Sequence, residues 1–430
     1  MKNDVLLICL AFALASCQSI PVLQPTSTPI PPTPTNTSTP TFTPIPLTPT
    51  STSAPSPSPE LTLSPDKNEK NDYLVYIANE WNPSISSKPQ LTLYDPANNA
   101  TRVLLTNFLF TNWGNNSFSL SKDNRLAYLK DDNIYIWDYP FIEDTQTEVV
   151  FGGSPTTEKG VLSWSPDGRY LLLKGAQENR KKLFLWDEKN ILDIYNYQGE
   201  IADTTWSNNG KLALTELPIN NAPGGFFGKI IVWDGKDIIN VSQNPSTSPT
   251  WSKEGQLAFL SYQNREYTIS VWDGKSKNNG APDIKTPSAP DLELSINSQP
   301  TLTNSGTIAF TGCSKTNRTC QIYEWDGQTT RTISQSPLIL LGWRNDGYWS
   351  ALVDDGFTII IRDNINRTVL ETKGAYSQWT QSGLLVFCNY KNKHTLSIWN
   401  GKNIVDIAHG DSVFAEWTNS NGKSILCTYG

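Results

Sequence analysis

Histidine and methionine are nearly missing from this chain, with two His and one Met in 430 residues. Two imidazoles leave little for acid–base catalysis. A basic surplus is missing too: 34 Lys plus Arg stand against 41 Asp plus Glu, a formal charge of -7, so the electrostatic footprint of a nucleic-acid-binding surface is lacking. No apolar run approaches the roughly 18 residues that a membrane-spanning helix needs. The longest is the eleven-residue stretch from Val5 to Ala15. Charged residues make up only 17% of the chain, which points away from a helical bundle. What fills the space is Pro, with 29 residues, and Trp, with 15, a profile that fits many short strands joined by turns. The expected fold class is all-β.

The run from Val5 to Ala15 follows Lys2 and Asp4 and ends in small residues, the build of a secretory signal peptide. At its end stands Leu14-Ala15-Ser16-Cys17, which resembles the signal of bacterial lipoproteins. That resemblance implies that residues 1–17 are a signal ending at an acylated Cys17, and that the chain meets the membrane through a lipid alone. An ordinary signal peptide with an incidental cysteine is the alternative. Gln18 is not Asp, so the resemblance directs no retention at an inner membrane, and the expected location is the cell envelope, outside the cytoplasm. Residues 18–70 read as a disordered linker: from Pro21 to Pro65 there are 14 Pro and 19 Ser or Thr in 45 residues, with no charge between Asp4 and Glu60. Extended as polyproline II at about 3.1 Å per residue, this stalk holds a domain on the order of 100 Å from its anchor. A ligand for proline-binding modules is the competing reading, but no single Pro-x-x-Pro site stands out from its neighbours.

From residue 71 to residue 430 the chain repeats itself. One half of the repeat reads WSPDGRYLLL from Trp164, WSNNGKLALT from Trp206, WSKEGQLAFL from Trp251, LTNSGTIAFT from Leu302, WRNDGYWSAL from Trp343, WTQSGLLVFC from Trp379 and WTNSNGKSILC from Trp417, with a degraded copy from Leu120. The other half reads IYIWD, LFLWD, IIVWDG, ISVWDG, IYEWDG, TIIIRD and LSIWNG, ending at Asp138, Asp187, Gly235, Gly274, Gly327, Asp363 and Gly401. Successive anchors are 44, 42, 45, 51, 41, 36 and 38 residues apart. Each unit parses as four strands: one ending at the anchor, a tight turn, a second apolar run, the Ile-x-Val-Trp-Asp run, and a fourth strand after an Asp-Gly type turn. Such a period is the signature of a β-propeller, in which stacked neighbours supply the core.

The segment Trp164-Ser165-Pro166-Asp167-Gly168 is the closest match to the TolB-like propeller repeat, a relative of the WD-type repeat, and the resemblance spans roughly residues 73–429. It implies the fold and is weak for function. TolB carries an additional α/β domain before its propeller, where this chain has the stalk. At the start, DYLVYIA, QLTLYD and TRVLL resemble strands two to four of a unit without its first strand, while the chain ends on an anchor strand at Trp417. Pairing of 417–429 with 72–105 closes a ring of eight blades and hides its edges. The segment SILCTY partly duplicates DYLVYIA, so seven blades is the alternative.

Twelve of the fifteen Trp fall at repeat positions, which assigns them to packing between blades, and Trp349 in a second strand belongs with them. Cys313 and Cys320 flank the hairpin connection SKTNRT and are expected to form a disulfide. Cys388 and Cys427 occupy equivalent positions in successive units and should point the same way, so a pair between them is not expected. His394 and His409 share one unit but lack a three-ligand spacing, and no metal or cofactor is expected. Length variation concentrates in connections between strands two and three and between units, at 78–89, 174–182, 216–229 and 276–298. Trp81, Arg180, Lys181, Lys182, Phe226 and Phe227 are the candidate contact residues on those loops. The expected function is a monomeric, non-catalytic binding or assembly module, for a protein or peptide in preference to a glycan and not for nucleic acid. The alternative is a glycosidase-like hydrolase with carboxylates in the central channel, for which Asp203 and Glu416 are the candidates.

Overall fold

The computed structural model describes residues 73–428 apart from internal segments, the longest being 80–89, 107–117, 219–226 and 276–291. The chain divides into Met1–Glu60 and Leu61–Gly430, and every described residue belongs to the second unit. Cys17, the linker, Trp81, Phe226 and His394 lie outside the described residues. Regular structure among the described residues is entirely β-strand, in antiparallel sheets, and no helix there is long and apolar enough to cross a membrane.

The unit around Trp206 shows how the repeat folds. Glu200–Trp206, Leu212–Leu217, Lys229–Trp233 and Ile238–Asn240 form a four-stranded sheet in that order. Trp206 lies opposite Leu212, Leu212 opposite Trp233, and Trp233 opposite Ile238. Because side chains alternate across a strand, the two middle strands present two apolar faces. Leu212, Leu214, Ile231 and Trp233 pack on Leu172, Leu183 and Leu185 of the preceding unit. Ala213, Ile230 and Val232 pack on Leu257, Phe259 and Trp272 of the following one. No unit buries both faces alone, so the units stack, the arrangement of a β-propeller.

The paired Trp fill these seams. Trp206 meets Trp233 edge to face at 6.5 Å, Trp164 meets Trp186 at 6.0 Å, Trp251 meets Trp272 at 6.2 Å and Trp379 meets Trp399 at 6.0 Å. After the anchor, the Ser165 hydroxyl donates to Asp167 Oδ1 at 2.7 Å and accepts from the Tyr170 amide at 2.9 Å, closing a turn whose Gly168 has φ +72°. A side chain is strained at that φ, which is why Gly recurs there. The Asp that follows the second Trp also serves its turn: Asp326 Oδ1 accepts the amides of Thr329 at 2.7 Å and Gln328 at 2.8 Å. Those bonds lower its pKa to about 2.

The ends of the repeat region meet in one sheet. Ser412–Trp417 pairs antiparallel with Leu74–Asn79, Trp417 opposite Leu74, in the register that Trp206 keeps with Leu212. Gln90–Asp95 and Ala100–Leu105 complete that sheet. The expected pairing of 417–429 with 72–105 needs correction. Only Ser412–Trp417 joins the first strands, and the tail strand Ser424–Thr428 lies on the opposite edge of Ser412–Trp417. Leu74–Asn79 holds the contested slot because it brings two further strands with it, burying Leu91 and Leu93. Tyr73 and Thr418 lock the junction, the Thr418 amide donating to Tyr73 O at 2.9 Å.

That displacement also overturns the expectation for the last two cysteines. Cys388 and Cys427 form a disulfide. Cys388 sits in the second strand of its unit, Leu385–Asn389, whereas Cys427, moved to the far edge of the closing sheet, no longer occupies the equivalent place and faces Cys388 instead. Cys313 and Cys320 lie directly opposite each other in their hairpin and are bonded.

Candidate functional site

Of the four segments marked by length, 78–89 and 276–298 fall mostly outside the described residues, and what is described of the other two is tamer than their length implies. Segment 174–182 is no loop: Leu171–Gln177 and Arg180–Trp186 are seven-residue strands joined by a two-residue turn, Glu178 and Asn179, at φ +53° and +60°. Arg180 is exposed at its tip. Lys182 is tied to Asp193 Oδ2 at 2.7 Å and Gln177 Oε1 at 3.2 Å, and Lys181 reaches Gly199 O at 3.4 Å. Phe227 is not a presented aromatic: it is 8% exposed and packs with Tyr262 and Tyr267, at ring distances of 5.7 and 5.6 Å. The chain returns from the undescribed 219–226 segment into the next unit's apolar cluster, so burial claims the ring.

The two carboxylates considered for hydrolysis each join neighbouring units. Asp203 Oδ2 accepts from the hydroxyls of Thr215 at 3.3 Å and Thr247 at 3.1 Å and from the Ser248 amide at 3.3 Å. Glu416 is fully buried and accepts from the Ser119 hydroxyl at 2.7 Å and the Leu120 amide at 3.3 Å. Two whole units stand between their sheets. His409 Nδ1 shares a hydrogen bond with the Thr395 hydroxyl at 2.8 Å. Among the described residues no group of three His, Cys, Asp or Glu is placed to hold a metal.

Departure from the repeat is concentrated in one unit, from Leu338 to Trp379. Its third strand, Thr358–Arg362, carries Arg362 where six other units carry Trp and the closing unit carries Tyr94, and its second strand, Trp349–Val353, carries Trp349 where the others carry Leu or Ile. The two residues face each other in register, with the Arg362 guanidinium 5.4 Å over the Trp349 ring. Trp349 is 1% exposed and stacks on the anchor Trp343 at 6.4 Å. The Trp has in effect moved from the third strand to the second, and the cation that replaces it sits on the relocated ring.

The same unit has the shortest anchor spacing, 36 residues, and so lacks a connection to the next one. Its fourth strand and the first strand of the following unit are one twelve-residue strand, Thr368–Trp379. Where that strand changes partners, the register shifts between Ala375 and Ser377, leaving Tyr376 as the extra residue of a bulge at φ +51°. Gly374 is needed beside it, because a Cβ there would sit 2.4 Å from Cys388 O. Tyr376 is 61% exposed and Phe357, just ahead of the third strand, is 60% exposed. Phe357 stacks obliquely on half-buried Tyr390 at 6.0 Å. Burial, and then the neighbouring Tyr376 phenol, push the Tyr390 hydroxyl up in pKa. Three aromatic rings thus gather where the second-to-third connections and the inter-unit crossing meet. A Tyr at positive φ is uncommon and costs on the order of 1 kcal/mol or more, so a strained residue here holds an exposed ring.

No protein-family model matches the sequence, and no curated protein is similar to it in sequence. Solved structures that resemble the fold include TolB from Acinetobacter baumannii, at 16% identity and a TM-score of 0.34 over 60% of this chain. The match covers 65% of that TolB, just under two thirds of its length. The putative TolB from Agrobacterium tumefaciens aligns at 12% identity and a TM-score of 0.32, over 62% of this chain and 89% of its own. The β-propeller domain of the Trilobed protease from Pyrococcus furiosus aligns at 15% identity and a TM-score of 0.40, over 70% and 92%. These likenesses are weak; the strand pairing within the chain carries the architecture.

Proposed function

We propose that this chain is a lipid-anchored, extracytoplasmic propeller of eight blades, seven continuous and one composite, that binds a protein or peptide partner and performs no catalysis. The blade number rests on eight anchor positions, the last of them paired to the first strands of the repeat region. The two disulfides favour an oxidising compartment, in keeping with an acylated Cys17 and a proline-rich stalk. One observation carries the binding role: Phe357 and Tyr376 are exposed beside half-buried Tyr390 at the point where the repeat is broken. Exposed aromatic clusters of this kind act as anchors in interfaces.

A photo-crosslinking amino acid at Tyr376, compared with one at Lys236 on a turn at the other end of the strands, tests the reading in the native envelope. A discrete adduct from position 376 and none from 236 is the expected result. Equal labelling from both, or from neither, counts against it. The anchor is checked separately: Cys17→Ala abolishes fatty-acid labelling and releases the chain from membranes if Cys17 is acylated, and leaves both unchanged otherwise.

A further inference from the structure

A second feature of the Leu338–Trp379 unit lies at the opposite end of its third strand. Thr358–Arg362 begins beside Phe357, but it runs out to Asn364 and Asn366, and there a cleft of about 470 Å³ opens between this unit and the preceding one. That is within the roughly 300–1,000 Å³ range of small-molecule sites. We propose that this cleft is a carbohydrate-binding site that takes one pyranose ring, with its C–H face on Trp343 and its hydroxyl edge toward Arg331, Glu324 and Asn364. The inference is independent of the partner-binding role argued from the other end of the strands.

The cleft follows from the move of the Trp to the second strand and its replacement by Arg362 in the third. In the Trp206 unit the third-strand Trp meets the anchor at 90°. Here the third strand offers Arg362, and Trp343 and Trp349 lie within 13° of parallel. An edge-to-face pair closes a seam, whereas two near-parallel rings leave a flat aromatic wall. Trp343 is half-buried, so the ring is both fixed by Trp349 behind it and reachable.

The facing wall is polar and fixed. Glu324 is 6% exposed and accepts from the Thr307 hydroxyl and from Arg331 Nε at 2.7 Å. Arg331 Nη2 pairs with the same carboxylate, while the Arg331 side chain remains 77% exposed. One edge of the guanidinium is thus spent on Glu324 and the other edge faces outward with donors to give. Asn366 clasps the rim: its Nδ2 donates to Ile333 O of the preceding unit at 2.8 Å, and its Oδ1 accepts from Arg362 Nη1 at 3.1 Å. The two walls therefore come preorganised.

This chemistry discriminates between ligand classes. An anion finds one guanidinium, already neutralised by Glu324, and no second cation lines the cleft among the described residues. A purely apolar ligand would cover the outward donors of Arg331 and the Asn364 amide without replacing the water they bind. A pyranose offers an apolar face for the ring wall and adjacent hydroxyls that both donate and accept, which suits planar guanidinium, carboxylate and amide groups together.

The test is titration of the full chain with glucose, galactose, mannose, N-acetylglucosamine and their short oligomers, followed by tryptophan fluorescence and calorimetry, with sodium phosphate in parallel. The expected result is saturable one-site binding of at least one saccharide, weakened about tenfold or more by Asn364→Ala at unchanged melting temperature, and by Arg331→Ala, which also leaves Glu324 without its cation and lowers the melting temperature. Tyr376→Ser, at the other end of the strands, leaves it unchanged. Absence of saturation by every saccharide up to about 10 mM, binding that survives both variants, or binding of phosphate alone would overturn the proposal.

Discussion

The Trp206 unit and the Trp343 unit have the same strand order and different chemistry. In the first, Trp206 and Trp233 close the seam edge to face and Leu212 sits between them in register. In the second, Trp349 occupies the Leu position, Arg362 the Trp position, and the unit runs without a break into the next through Thr368–Trp379. The first spends its side chains on the core. The second leaves a cleft on one side and exposed rings on the other. Repetition accounts for stability, and the interruption is where both proposed binding surfaces lie.

The sharpest break in the scheme is at the closure. A chain stopped after Gly410 loses Ser412–Trp417 and exposes the edge of Leu74–Asn79, and it is expected to aggregate rather than elute as a monomer. A chain stopped after Thr418 keeps that strand and loses only the tail strand with its disulfide to Cys388. It should stay soluble, losing about 2–4 kcal/mol, or roughly 5 °C in melting temperature. Equal behaviour of the two truncations in size-exclusion chromatography would refute the assignment of the slots.

Restoring the ordinary pattern is the next test. Arg362→Trp crowds Trp349 and should cost about 1–3 kcal/mol. Trp349→Leu opens a cavity and should cost about 2–4 kcal/mol. Made together they rebuild the Leu–Trp pair of the other units, so the double variant should be more stable than additivity predicts by about 1–3 kcal/mol in denaturant titration. Strict additivity would mean that the pairing of Trp349 with Arg362 is incidental.

Much of the frame is legible in the sequence. The anchor Trp and the Trp-Asp runs mark the strands because an apolar pair must recur wherever two units stack, and the hairpin spacing places Cys313 opposite Cys320. The surfaces were harder to read, since excess length drew attention to 174–182 and 216–229, where a two-residue turn and the buried Phe227 were found. The informative signals were deficits: the short 36-residue spacing and the missing Trp at position 362. Tyr376 escaped because nothing in a Tyr announces positive φ. Cys388 and Cys427 escaped because their pairing depends on a competition between two distant strands for one edge.

The smallest effect belongs to a turn that several units share. Asp326 ordinarily titrates at 3.8, and the backbone amides of Thr329 and Gln328 hold it at about 2 in the folded chain. A depressed carboxylate lends stability that is complete well above 3.8 and is lost as pH falls through that value toward about 2. In Asp326→Asn the turn survives, as Asn400 Oδ1 already accepts the amides of Lys402 at 3.1 Å and Asn403 at 2.8 Å. The variant should melt within about 2 °C of the parent at pH 7, and its melting temperature should fall less steeply on acidification from about pH 4 to pH 2.

The claim that the interrupted unit holds the partner surface meets its most direct test at Tyr376. Tyr376→Gly removes the exposed ring and relieves the positive φ in one change. Melting temperature and affinity for the partner crosslinked at position 376 are then measured on the same preparation. The expected result is a melting temperature equal to or above that of the parent together with affinity reduced about tenfold or more. A lower melting temperature with undiminished affinity would contradict it, because the strained tyrosine would then serve the fold and not the partner.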